Sequence, residues 1–192
     1  MDIEALAEQI EYKVAPEPLI AVQGLANTFA FEPEEERLID PGSTREWLLD
    51  SDLATPGIEV SPADHERLLA ARAIIRDLID ANLSGHVEAP AAGMQRLAAE
   101  HRVALAASPD GGLALDLAPV SSVDALIAQL LGIIHQAQVE GVWSRLKVCA
   151  SDECRWSFFD SSRNHGGTWC QMGTCGNKIK NRAYRRRIAA RR

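Results

Sequence analysis

Four cysteines, Cys149, Cys154, Cys170 and Cys175, are the only ones in the 192-residue chain, and they form two C-x4-C pairs fifteen residues apart. A chain that places no cysteine in its first 148 residues and four in the next 27 is building something local. Four thiolates from two short loops can close a tetrahedral shell around one zinc ion, the usual form of a structural site. Two disulfides are the competing use. The start of the chain, Met1-Asp2-Ile3-Glu4-Ala5, is acidic and lacks a long apolar run, which predicts retention in a reducing cytoplasm where disulfides do not persist. A redox C-x-x-C, an H-E-x-x-H and a deaminase signature are all missing from the sequence, so the cysteines read as structural and not catalytic. His165 lies between the pairs and is the one alternative ligand; with four thiols present it reads as a loop residue.

The net charge of −7 conceals an asymmetry. From Arg145 onward, twelve Lys/Arg face three acidic residues, a net +9, while residues 1–144 carry eight against 24, a net −16. An acidic body is repelled by nucleic acid and a basic tail is drawn to it. Past Cys175, Lys178, Arg182, Arg185 and Arg186 recur at helical spacing, opposite Ile179, Ala183 and Ile188. A basic stripe facing out and an apolar stripe facing in suits a helix that binds a groove or a phosphate backbone. The candidate nucleic-acid contacts are Arg163, Lys178, Lys180, Asn181, Arg182, Arg185, Arg186 and Arg187. Trp156, Phe158, Phe159 and Trp169 read as the small core that such a module needs, with base stacking as the alternative.

Upstream, the pattern is mostly helical. Leu19–Phe29 is an apolar run, readable as a strand leading into a helix or as one buried helix. Ser43-Thr44-Arg45-Glu46 reads as a capping box opening a short helix with Trp47. Ser61-Pro62 opens a long helix that runs to about Leu83 before Gly85, with Arg67, Arg72, Arg76 and Asp80 on its polar face. Further helices are expected over 90–100 and from Ser121 to about Val139, before Gly141. Between them, 101–106 and 113–117 alternate in polarity around Ser108-Pro109-Asp110-Gly111-Gly112, a hairpin signal. The expected fold is α+β: a mostly helical domain with a β-hairpin over 1–142, then a four-cysteine zinc finger with a basic helix over 143–192. The linker is short, so the finger is expected to pack on the body. No stretch approaches the length of a membrane span.

The C-terminal segment resembles the CGNR-type zinc finger. Arg155-Trp156, Asp160, Ser162-Arg163-Asn164, Trp169-Cys170, Met172 and Cys175-Gly176-Asn177 occupy that family's pattern; Lys178 stands where the naming motif has arginine. Gly24-Leu25-Ala26-Asn27-Thr28, Leu38-Ile39-Asp40 and Trp47-Leu48 resemble the ABATE domain that accompanies this finger. The resemblance implies one structural Zn2+ and a bacterial, stress-induced transcription regulator that binds double-stranded DNA. An RNA- or single-strand-binding module is the alternative, as is a protein-interaction module with a ligand-sensing body. A homodimer would supply the second module that specific sites usually need. Asn27, Arg37 and Trp47 are the first places to look for a small-molecule ligand of the N-terminal domain. No constellation of enzyme residues is found, so an enzyme is not expected.

Overall fold

The computed structural model describes residues 1–31, 34–107 and 111–181. It contains α1 (Ile3–Ile10), α2 (Ile20–Ala26), β1 (Phe29–Phe31), β2 (Glu34–Glu36), α3 (Pro41–Asp50), α4 (Pro62–Ser84) and α5 (Glu88–Glu100). Then come β3 (Leu105–Ala107), β4 (Leu113–Leu115), α6 (Val123–Val139), β5 (Leu146–Val148) and β6 (Ser157–Phe159). The six strands make three antiparallel hairpins, β1–β2, β3–β4 and β5–β6. The α+β reading therefore holds: helices dominate, with small sheets between them. Among the described residues no helix is long and apolar enough to cross a membrane.

Local chemistry sets most helix ends. Ser61 caps α4, its hydroxyl accepting from the Asp64 N–H while the Asp64 carboxylate accepts from the Ser61 N–H. Gly85 ends the same helix at φ 75°, a left-handed conformation that costs glycine little. Ser122 caps α6. The cap of α3 differs from the expected one. Asp40 holds that position and exchanges bonds with Ser43, so the helix begins at Pro41, before the Ser43–Glu46 box. Of the two readings of the apolar run at 19–29, the buried helix is the one found, as α2, with β1 following it and not preceding it.

α4 is the spine. It packs against α2, α3, α5, α6 and β5. Its Leu68, Ala71, Ile75 and Ile79 are fully buried, and α6 adds Leu126, Ile127, Leu130, Ile133 and Ile134. The same core takes in Trp143, Leu146, Val148 and Phe159, so apolar packing runs on across residues 142–143.

The polar stripe of α4 is not a solvated face throughout. Arg72 is 8% exposed and meets both Glu36 oxygens (2.5 and 2.7 Å) and the Thr28 hydroxyl (2.8 Å). Arg76 donates to the carbonyls of Ala26, Phe29 and Arg155. Burial beside two other arginines, Arg72 and Arg155, pulls its pKa down to about 10. Asp80 pairs with Arg155 (3.1 Å), and Asn82 donates to the carbonyls of Trp143 and Leu146. One helix face thus ties the β1–β2 hairpin and the cysteine segment to the body.

α2 supplies a second clamp. The Gln23 and Asn27 amides both donate to the Ser157 carbonyl (3.1 and 2.9 Å), and Asn27 Oδ1 accepts from the Ser157 N–H (2.8 Å). Asn27→Ala strands that buried N–H, at a cost of about 1–3 kcal/mol. In urea denaturation the midpoint should fall accordingly, with finger tryptophan fluorescence and helical circular dichroism moving together. An unchanged midpoint would show that the clamp contributes nothing.

Candidate metal centre

The centre is assembled by β5–β6 and the turn after Gln171. Cys149 follows β5, and its N–H donates to the Trp156 carbonyl (2.9 Å), which folds the chain back at once. The Cys154 and Arg155 N–H groups both donate to the Ser151 carbonyl, and Arg155 accepts φ 51° to close the turn. In the second pair Cys170 precedes a π-turn, Met172–Gly176, and Cys175 lies within it; the turn is closed by the Gly176 N–H on the Gln171 carbonyl (3.1 Å). Residues 177–181 continue as α-helix. Phe158 is fully buried under the cysteines, with Trp156 and Trp169 packed beside them, while Phe159 joins the main core.

The four Sγ atoms lie within 4.8 Å of one another. Cys154 and Cys170 are 3.6 Å apart, and Cys170 and Cys175 3.8 Å. None is bonded to another. Zinc–thiolate bonds of about 2.3 Å give a tetrahedron with edges of about 3.8 Å, so the donor set fits zinc. Without a cation the thiols obstruct one another. Cys149 accepts hydrogen bonds from Cys154 and Cys170, and from the Cys170 and Ser151 amides, which lowers its pKa. Donating to Cys149 holds the proton on Cys154, whose pKa rises to about 12, and on Cys170, which is pushed higher still, with burial and the charge of Cys149 adding to the effect. A dication removes that conflict, since bound cysteines are thiolates. His165 is not one of the clustered donors.

A model described as "CGNR zinc finger" matches residues 145–188. One described as "Putative stress-induced transcription regulator", the ABATE domain, matches residues 21–137. The chain belongs to the ABATE family. Among curated proteins none matches it. The cofactor of its CGNR finger is a single structural Zn2+.

The other predicted site residues of this ABATE protein divide into three groups. Arg163 is exposed on the 161–166 loop. That loop is braced by Arg145, which donates to the Asp160 carbonyl (3.0 Å) and the Ser162 carbonyl (3.2 Å). Lys178, Lys180 and Asn181 are exposed on the terminal helix. Lys178 pairs with Glu153 (2.9 Å), and the Lys180 ammonium lies 6.0 Å from the centre of the Trp169 ring. Arg182, Arg185, Arg186 and Arg187 lie outside the described residues. Of the three ligand candidates, Asn27 is spent on Ser157, and Trp47 is buried with its N–H on Gln9 (2.9 Å). Arg37 is half-buried.

Lys147 and Asp160 form a pair that spacing did not reveal. Both side chains are buried and 2.9 Å apart. Burial works against ionisation of Asp160, but hydrogen bonds from Ser162, the Lys147 ammonium and the Gly167 N–H outweigh it and hold the carboxyl well below its usual range. Lys147 also donates to the His165 and Gly167 carbonyls. A side chain at Gly167 would start 2.7 Å from the Asp160 carboxylate, so this loop requires glycine there. A depressed carboxylate pKa stabilises the fold above the unfolded value near 4, and that contribution is lost as pH falls through the folded value.

Two outcomes follow at neutral pH. Elemental analysis should give one zinc per chain, and Cys170→Ser should lose most of it; full zinc retention would contradict the four-thiolate site. Asp160→Asn should cost about 3–5 kcal/mol in chemical denaturation, because it strands a buried ammonium. A loss under about 1 kcal/mol would show the pair to be no better than a solvated surface one.

Proposed function

We propose that this protein is a zinc-dependent transcription regulator that binds double-stranded DNA through its CGNR finger and basic C-terminal segment, in a binding and not a catalytic role. The observation that carries this reading is the charge division: net +9 from Arg145 onward and net −16 before it, with the basic end launched from the zinc-held turn. Zinc folds the cysteine loops, because so small a module has little core of its own. The turn then continues directly into the helix begun at 177–181. Arg163 on its braced loop, Lys180 and the arginines beyond 181 would meet the phosphate backbone. Lys178 would have to leave Glu153 to join them.

The tryptophans favour a duplex over a single strand. Trp156 and Trp169 are half-buried. The Trp156 N–H is committed to the Ile10 carbonyl (3.1 Å), and Lys180 lies over Trp169. Trp169 is covered by Lys180 and Trp156 faces the junction with the N-terminal body, so neither offers a single strand a stacking platform on the outer surface of the finger. The acidic body would oppose non-specific attachment and leave the finger to contact DNA by its outer surface. A cytoplasmic, nucleoid-associated location is part of the same reading.

If about five phosphates are neutralised, log K should fall against log salt with a slope of roughly −4 to −5. Arg182→Ala or Arg185→Ala should weaken binding and flatten the slope by about one unit each. Fluorescence anisotropy with a labelled duplex across salt concentrations measures this. An unchanged slope in both variants would place the contact elsewhere.

A further inference from the structure

A cavity of about 530 Å³ opens where the N-terminal body meets the finger, within the size range of small-molecule sites. Gln9, Tyr12 and Arg37 line it from the body; Trp156, Lys178 and the zinc-ligand residues Cys154, Cys170 and Cys175 line it from the finger.

Three features mark it as a binding site. The first is Arg37. The other arginines near the junction are engaged: buried Arg72 with both Glu36 oxygens, and half-buried Arg76 and Arg155 with three carbonyls and with Asp80 respectively. Arg37 is half-buried, yet its guanidinium makes one long contact with Gln9 (3.4 Å). Among the described residues it has no carboxylate within ion-pair distance. A guanidinium with its remaining donors beside a cavity is suited to a planar carboxylate.

The second feature is backbone strain beside Tyr12. Glu11 (φ 64°, ψ −48°) and Lys13 (φ 51°) both lie in the left-handed half of backbone space, which residues with a side chain seldom occupy. Strain of this kind gathers at functional sites, where surrounding bonds enforce it. Here the enforcement is visible: the Lys13 carbonyl accepts from the Phe159 N–H (2.7 Å) and from Gln23, and the Lys13 ammonium donates to the Trp169 carbonyl (2.7 Å). The third feature is the pair of aromatic walls, Tyr12 and Trp156, on opposite sides of the junction.

Glu11 and Glu35 also line the cavity and are exposed. Their charge, and the net negative charge of four thiolates on one dication at the cleft wall, disfavour a phosphate or a dicarboxylate more than a single carboxylate. We infer that this cleft binds a small aromatic monocarboxylate, with Arg37 holding the carboxylate and Tyr12 and Trp156 flanking the ring. Lys178 lies at the start of the terminal helix and on the cleft wall, so an occupant meets the element that carries the basic residues. That regulatory consequence rests on the DNA-binding reading; the site itself does not.

The test uses the full-length, zinc-loaded chain. Benzoate, phenylacetate and indole-3-acetate are compared with their neutral amides by isothermal titration calorimetry and thermal shift. At least one acid should bind with Kd below about 1 mM, and its amide at least about tenfold more weakly. Arg37→Gln should lose about tenfold or more and Arg37→Lys less, both with wild-type zinc content. No binding by any acid, equal binding of the amides, or undiminished binding to Arg37→Gln overturns the site. Anisotropy with labelled duplex separates the two readings. Acid binding with no duplex binding leaves the site standing and fails the DNA reading. Duplex affinity unmoved by a bound acid removes the regulatory consequence.

Discussion

Four sulfur atoms brought within 4.8 Å of one another cannot all ionise without a cation, and the C-terminal quarter of the chain is arranged around that requirement. Tight turns at Ser151–Arg155 and Met172–Gly176 aim the thiols, and backbone amides of Ser151 and Cys170 face the Cys149 sulfur. Phe158 fills the space beneath. The buried Lys147–Asp160 pair holds the intervening loop. Take away the dication and most of the thiols stay protonated, so the two loops lose the bonds that would join them. The metal is therefore a folding element, and its binding free energy is folding free energy.

The finger is also not a free appendage. Its hairpin contributes Leu146, Val148 and Phe159 to the core of the body, and α2 and α4 grip its backbone through Gln23, Asn27, Arg76 and Asn82. Zinc sets the geometry of the loops, while the body sets where the finger faces. A change felt at α1 has a direct mechanical route to the cysteine module, through Lys13 donating to the Trp169 carbonyl and Trp156 donating to the Ile10 carbonyl.

What was legible in the sequence was what depends on local chemistry. The cysteine pairs, the Ser61-Pro62 start of α4, the Gly85 stop and the Ser122 start of α6 are each written in a few adjacent residues. β5 and β6 escaped because all six of their residues are buried, so they show no alternation. β1–β2 escaped because Glu34-Glu35-Glu36 reads as a solvated run, although Glu36 is spent on Arg72. α1 is only eight residues long, too short to stand without the packing of Leu6 and Ile10. The docking of Arg76 and Asn27 on the finger joins residues 79 and 130 positions apart. No pattern of spacing carries such a contact.

The central claim is that zinc positions a basic module for duplex DNA. The most direct measurement is zinc content by elemental analysis, paired with a duplex gel shift before and after chelation and again after zinc is restored. One zinc per chain, loss of the shift on chelation and its return with zinc is the predicted result. A chain that holds its zinc and shifts no duplex, or that shifts duplex equally well without zinc, would contradict the account.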